Sequence, residues 1–334
     1  MKQDTTLPGH AARRRTVLAA ALGAFPALSA FPALAQQPAY PQGPVTFIVP
    51  WPPGGSLDIF ARALGQVLSA EWGVPVIVDN KPGASGMIGA DRAARAREDG
   101  QTILLANTTF IQAPALQGKA PYDPLKDFAP VTQLGTLANA FAVRNASPIR
   151  DINDYVRLLK AAPGRHSYAS YGQASSAHLL MEGFKERQGL EATHVAYKGE
   201  TAPMTDLLAG HIEAGFFSER LVHEQRAGVR ALAVTGTQRS ALLPDVPTFA
   251  EAGLAGMETV GWYGVFVPAR TPRPLVARLS RDFTAALRKP EIQAKLRDIV
   301  VRPVGSTPEE FSAALAAEWR TWKTLIEKTG IRPE

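Results

Sequence analysis

From Val45 onward the sequence alternates short, β-branched apolar runs with longer stretches whose apolar residues recur three and four apart, and this alternation constrains the fold more than any other feature. Strand-like runs separated by helix-like runs call for an α/β fold with helices over a largely parallel sheet, and they count against a sandwich or a bundle. Residues 45–49 read as a strand. The turn Pro52-Pro53-Gly54-Gly55 follows, and Ser56 is placed as N-cap of a helix with Leu57, Phe60, Ala61, Leu64 and Leu68 on one face. Residues 76–78, 102–105 and 140–143 are further strands, with a helix over 89–96. After Pro148 a second array begins: helices over 152–161, 176–188 and 202–208 alternate with strands at 165–169, 194–197, 214–217 and 230–235. Residues 262–267 form a strand that returns toward the first array. The last helix opens on Thr307-Pro308-Glu309-Glu310, which combines a cap, proline at the first helical position and a capping-box glutamate. Its Phe311, Leu315, Trp322 and Leu325 are expected to dock on a core. Without internal repeats or a low-complexity linker, two domains joined by crossing strands fit best.

The first residues stand apart. Arg13, Arg14 and Arg15 precede an apolar stretch over 16–32, and Ala33-Leu34-Ala35 then presents small residues, which is the pattern of a secretory signal cut after Ala35. A retained anchor needs about 20 apolar residues, and Pro26 and Pro32 interrupt this run. The arginine pair fits a twin-arginine or a general secretory route equally. Removing residues 1–35 leaves 299 residues with 32 basic and 29 acidic side chains, so the net charge falls from +6 to +3 and gives no case for nucleic acid. The chain has no cysteine, which excludes disulfides, thiolate metal sites and cysteine nucleophiles.

Chemistry is to be sought where strands end and helices begin. Strand, glycine-rich turn and helix at 45–68 bring backbone N–H groups and the positive end of a helix dipole to one spot suited to a carboxylate or phosphate. Gly54-Gly55-Ser56 lacks the lysine of a P-loop, and Gly83, Gly86 and Gly89 lack dinucleotide spacing. A second polar turn spans Ser170, Tyr171, Gly172, Gln173, Ser175, Ser176 and His178, and a third spans Tyr197-Lys198-Gly199-Glu200-Thr201. Three such turns at strand ends predict a ligand cleft between the domains. Gly83-Ala84-Ser85-Gly86-Met87 fails as a nucleophile elbow at its last position, and Ser85 is placed outside the site. The histidines show no metal-ligand spacing.

These blocks together carry a resemblance. Trp51-Pro52-Pro53-Gly54-Gly55-Ser56-Leu57-Asp58, Asp79-Asn80-Lys81-Pro82-Gly83-Ala84 and Pro121-Tyr122-Asp123-Pro124-Leu125-Lys126-Asp127-Phe128 come first. The loop from Ser170 to His178, Tyr197-Lys198-Gly199, Asp206-Leu207-Leu208-Ala209-Gly210, Leu243-Pro244-Asp245-Val246-Pro247-Thr248 and Trp262-Tyr263-Gly264 follow. In this order they resemble the receptors of tripartite tricarboxylate transporters, the TctC or Bug family. The resemblance implies two Rossmann-like domains of the type II periplasmic-binding-protein kind, 36–140 with 264–334 and 141–263, closing over a ligand cleft by hinge motion. It also implies an exported, periplasmic, monomeric receptor that captures a small carboxylate for a membrane permease, with no cofactor and no catalysis. Family receptors hold the carboxylate through backbone amides, hydroxyls and waters, which assigns ligand contacts to Gly54, Gly55, Ser56, Asp58, Ser170, Ser175, Ser176 and His178, with Thr108 and Gly199 beside them.

Departures from the family pattern bear on the ligand. Trp51 stands where Phe is commoner, Leu57 where Thr is frequent, Tyr171 where a small residue is usual, Phe217-Ser218 where Asp-Asn is common, and Glu200 where Gly is common. Trp51, Tyr171 and Phe217 are expected to add ring surface to the cleft, and Glu200 a negative charge, so an aromatic or partly apolar carboxylate is expected instead of citrate. Two alternatives are a receptor that reports the solute to a sensor kinase and a serine hydrolase built on Ser176 and His178.

Overall fold

The computed structural model describes residues 40–332 except 174 and 198, together with residues 1 and 3. The leader and its cleavage site at Ala33-Leu34-Ala35 lie outside the described residues. The first array is β1 (Val45–Val49), α1 (Ser56–Trp72), β2 (Val76–Asn80), α2 (Met87–Ala94), β3 (Thr102–Asn107), α3 (Thr109–Gln117) and β4 (Phe128–Leu137). The second is β5 (Asn139–Arg144), α4 (Ile152–Ala161), β6 (Ser167–Ser170), α5 (Ser176–Gln188), β7 (Thr193–Ala196), α6 (Thr201–Ala209), β8 (Ala214–Ser218), α7 (Glu219–Glu224) and β9 (Val229–Val234). The chain then returns through β10 (Gly261–Pro268), α8 (Arg273–Leu287), α9 (Pro290–Asp298), β11 (Arg302–Pro303) and α10 (Pro308–Thr329). Among the described residues, no helix is long and apolar enough to cross a membrane.

Two sheets result, ordered β11-β4-β10-β3-β1-β2 and β7-β6-β8-β5-β9. In the first, β1 pairs parallel with β2 and β3. β10 lies antiparallel between β3 and β4, so the returning strand completes the middle of that sheet. Covered on both faces, β1 and β10 read as continuous apolar runs, as buried strands must. Only Ala138 separates β4 from β5, so the chain crosses from one sheet to the other within a single residue. The second crossing leads into Gly261.

α10 fastens the two halves. Thr307 and Glu310 form the expected capping box, and Phe311, Leu315, Trp322 and Leu325 are buried in a core that also contains Leu104 and Phe266 of the first half and Phe141 and Tyr168 of the second. Phe311 packs edge-on against Trp262 at 5.4 Å between ring centroids. Gly264 makes this fit possible, because a Cβ there would stand 2.4 Å from the Phe311 ring. Truncating such a buried phenylalanine costs about 3–5 kcal/mol.

Two local expectations need correction. Gly55, extended and without a side-chain bond, is the N-cap of α1, and Ser56 is its first helical residue. The sequence pattern also does not reveal β4, α3, α8 and α9. β4 carries Pro130 and Gly135, residues that mark strand ends elsewhere, and α3 carries Pro114 and is buried nearly all round, so neither shows its period.

Candidate functional site

A cavity of about 370 Å³ opens between the two sheets, a size suited to a small organic molecule. Trp51 after β1, Ser85 before α2, Asn107, Thr108 and Thr109 at the β3–α3 junction, and Trp262 and Tyr263 of β10 form one wall. Tyr171, Gly172, Gln173, Ser175 and Ser176 of the β6–α5 turn, with Gly199 before α6, form the other. Leu137, Asn139 and Gly261 of the crossings close the floor. Among the described lining residues there is no Asp, Glu, Lys, Arg or His, so an anion here meets neutral hydroxyls, amides and the amino ends of α3 and α5. Such dipoles act strongly where water is scarce.

Thr108, Tyr171, Ser175, Ser176 and Gly199 are thus brought together as the sequence suggested. Ser175 caps α5 by accepting the His178 N–H at 3.3 Å, and the Ser176 hydroxyl donates to Gln112 Oε1 at 3.3 Å. The Tyr171 phenol hydrogen-bonds the Ser176 side chain and the Ala177 amide and lies 3.5 Å from Asn139 Oδ1. Thr108 accepts the Trp262 N–H at 3.0 Å, joining α3 to the returning strand.

The remaining sequence candidates lie elsewhere. Gly54 and Gly55 are exposed. Asp58, 3 % exposed, accepts the Gly54 N–H at 2.9 Å, Arg62 at 3.0 Å and Asn80 at 2.9 Å. Burial pushes its carboxyl up, yet the bonds from Arg62, Gly54 and Asn80 and the Arg62 charge outweigh this and hold it below the usual range. This turn is occupied by the protein's own carboxylate. Ser56 reaches the cavity wall only through the Tyr263 phenol, to which it is hydrogen-bonded. Ser170 Oγ bonds His194 Nε2 at 2.7 Å, and His178 stacks on the same ring at 3.9 Å. Burial and the neighbouring His194 push His178 down to about 4, so it is neutral near pH 7.

The expected ring of Phe217 is absent from the wall. Phe217 is 1 % exposed and packs in the core beside Ala140, Met204 and Val222. Glu200 turns toward Ser218, accepting its N–H at 2.9 Å and its hydroxyl at 2.8 Å. Burial raises the Glu200 carboxyl, and burial first, with the Glu200 charge adding to it, raises the Tyr171 and Tyr263 phenols of the cavity.

The family model for the tripartite tricarboxylate transporter family receptor matches residues 60–331. This chain belongs to that family. It is 37 % identical over 289 residues to a protein of Pseudomonas sp. (strain P51) from the tcbD–tcbE intergenic region, covering 85 % of each chain. It is 32 % identical over 321 residues to BugT of Bordetella pertussis, covering 95 % of this chain and 98 % of that one. An R. palustris structure with adipate matches at 30 % identity and a TM-score of 0.77, covering 89 % of this chain and all of that one. MatC from Rhodopseudomonas palustris, with bound malate, matches at 28 % identity and 0.73, covering 86 % of this chain and all of that one. The fold is therefore the two-domain α/β architecture of type II periplasmic binding proteins.

Sequence reasoning missed part of this receptor's cleft. Ser85, placed outside the site, stands on its wall. Gly83, Ala84, Ser85 and Gly86 have φ of +127°, +48°, +54° and +90°, a strained run that costs energy at its two non-glycine positions. The flanking glycines were the signal. Trp262, already marked by the Trp-Tyr-Gly block, is fixed from behind: its Nε1–H and that of Trp322 donate to Glu318 at 2.7 and 2.9 Å. Burial pushes Glu318 up to about 7 against the pull of these two bonds. Trp51 Nε1 and Gln112 Nε2 are buried and have no hydrogen-bond partner among the described residues.

Proposed function

We propose that this receptor, exported to the periplasm and cut after Ala35, closes around one small carboxylate with an apolar or aromatic body and presents it to a membrane permease of the tripartite tricarboxylate type. The reading includes a monomer divided into 36–140 with 264–334 and 141–263. The observation that carries it is the lining of the cleft, which offers hydroxyls and amides at two helix amino ends, rings from Trp51, Tyr171 and Tyr263, and no described basic side chain. One carboxylate can be held by such dipoles, whereas three would repel one another with no cation among the described lining residues to offset them. Phe217 and the Glu200 carboxylate no longer support the aromatic preference directly. Trp51 and Tyr171 do, because an aromatic pair adds about 0.5–1.5 kcal/mol beyond burial.

The test is a thermal-shift screen of ligand-free protein against aliphatic, aromatic and tricarboxylic acids. A ligand at 100 times its dissociation constant stabilises by about 2.7 kcal/mol. Aromatic or aliphatic monocarboxylates are expected to raise Tm and citrate to leave it unchanged. A response to citrate alone overturns the ligand class.

A further inference from the structure

A groove of about 490 Å³ runs between α5 and α10 and shares no lining residue with the cleft. On α10, Ala317, Thr321, Thr324 and Lys328 recur three and four apart and so share one face. Short side chains at the first three leave a trough about 16 Å from end to end, and the buried Leu325 forms its floor. The C-terminal turn of α5 supplies the opposite bank with Glu186 and Arg187.

The charges of this trough do not balance. Arg187, Arg320 and Lys328 stand against a single acid, Glu186, whose carboxylate lies 3.4 Å from Lys328 Nζ. Arg187 and Arg320 have no ion pair or hydrogen bond among the described residues. Arg187 is nonetheless held in place. Its charged end lies over two glycines: a Cβ at Gly183 would stand 2.8 Å from Nη1, and one at Gly256 2.5 Å from Nε. A long side chain gives up rotamer freedom in such a slot. A guanidinium fixed in advance with its donors open suits a carboxylate, which it can grip by both oxygens.

The shape selects the partner. A lone phosphate would fill only one end of a trough this long, whereas about five residues of extended chain would span it. A bilayer surface takes apolar side chains as anchors, and none of the described exposed large hydrophobic residues lines the trough. We propose that the trough between α5 and α10 is the docking surface for an acidic segment of a partner protein, whose carboxylates pair with Arg187 and Arg320. On the receptor reading above that partner is the membrane permease, and the proposal rests on that reading for this identity alone.

A hexaglutamate peptide titrated into isotope-labelled protein tests the surface with no cleft ligand added. Saturable amide shifts are expected at Ala317, Thr321, Thr324 and Lys328, with affinity falling as salt rises. Inorganic phosphate should bind at least about tenfold more weakly, and phosphatidylglycerol vesicles should not retain the protein. Arg187→Gln with Arg320→Gln should weaken the peptide about tenfold, since each exposed pair lost costs up to about fivefold. Arg150→Gln with Arg165→Gln, which removes the same charge from exposed positions elsewhere, should leave it within about twofold. Shifts that do not saturate or fall outside the trough, equal losses in the two double variants, phosphate as strong as the peptide, or retention on the vesicles would each overturn the proposal. The receptor reading stands or falls separately, on the thermal screen of the cleft.

Discussion

The turn after β1 and the turn after β6 share one plan, in which a strand runs through a turn into a helix whose first helical residue is a serine, Ser56 or Ser176. They differ in who takes the amides. In the first, the Asp58 carboxylate accepts the Gly54 N–H and is itself held by Arg62 and Asn80. In the second, the groups at the helix end are the neutral hydroxyls of Ser175, Ser176 and Tyr171, and the turn forms a wall of the cleft. An anion-shaped turn is therefore a ligand site only where the chain has not supplied its own anion.

Proline at both serines separates the two turns most sharply. Each serine is the first helical residue, where proline is tolerated, and the residue before each is already extended, as proline demands. Ser176→Pro removes an amide and a hydroxyl from the wall. Bonds to a charged ligand contribute roughly 1.5–3 kcal/mol, so calorimetry should show affinity for the acid found in the thermal screen falling about thirtyfold or more. Ser56→Pro is expected to stay within about twofold. Equal losses in two folded variants would erase the distinction.

Removing the internal anion probes the comparison from the other side. Asp58→Ala removes the acceptor of the Gly54 amide and leaves Arg62 with only Asn80 Oδ1 and Asn80 with only the Trp51 carbonyl, and urea unfolding should show a loss of about 2 kcal/mol. Added sulfate should restore part of it by occupying the vacated position, while leaving the unaltered chain, whose own carboxylate fills that position, unaffected. A variant as stable as the parent would show that the turn does not depend on its carboxylate.

Ser85→Ala should weaken the ligand about threefold, the cost of one hydroxyl contact, without moving Tm, since alanine is no worse at this φ than serine. Unchanged affinity would return Ser85 to the scaffold.

The smallest effect expected is on pH. His178 titrates at about 4 in the fold against 6.5 ordinarily, so its contribution is complete above pH 6.5 and is lost as pH falls through 4. Glu318 titrates at about 7 against 4.5, so its contribution is complete below pH 4.5 and is lost as pH rises through 7. The two oppose each other, and the net change between pH 5 and 6.5 should stay under about 1 kcal/mol. Glu318→Gln should unmask a rise in stability with pH, and His178→Gln a fall; identical profiles for both variants would exclude this pairing.

The strands and capped helices were legible because their signals are local. Thr307 and Glu310 name their own cap, and β1 and α5 show their bounds in sequence. The candidate site was legible only where local chemistry decides. Ser175 and Ser176 stand at a helix start and end up in the wall, but that Asp58 fills the first turn depends on Asn80, a residue from another strand. Phe217 was misplaced for a similar reason. Phe216 and Phe217 point to opposite faces of β8, and each face is covered by a core, so alternation cannot tell wall from interior. Glu200 finds Ser218 only after folding.

The place of β10 in the first sheet also sets an order of events. β3 and β4 cannot join until residues 261–268 slide between them, and the whole second half of the molecule lies between β4 and that strand in sequence. A ribosome therefore delivers the inserted half before the enclosing one can close. The first sheet waits with a vacant middle lane, a non-local pairing that slows folding and leaves two unpaired edges open to a chaperone until β10 is made.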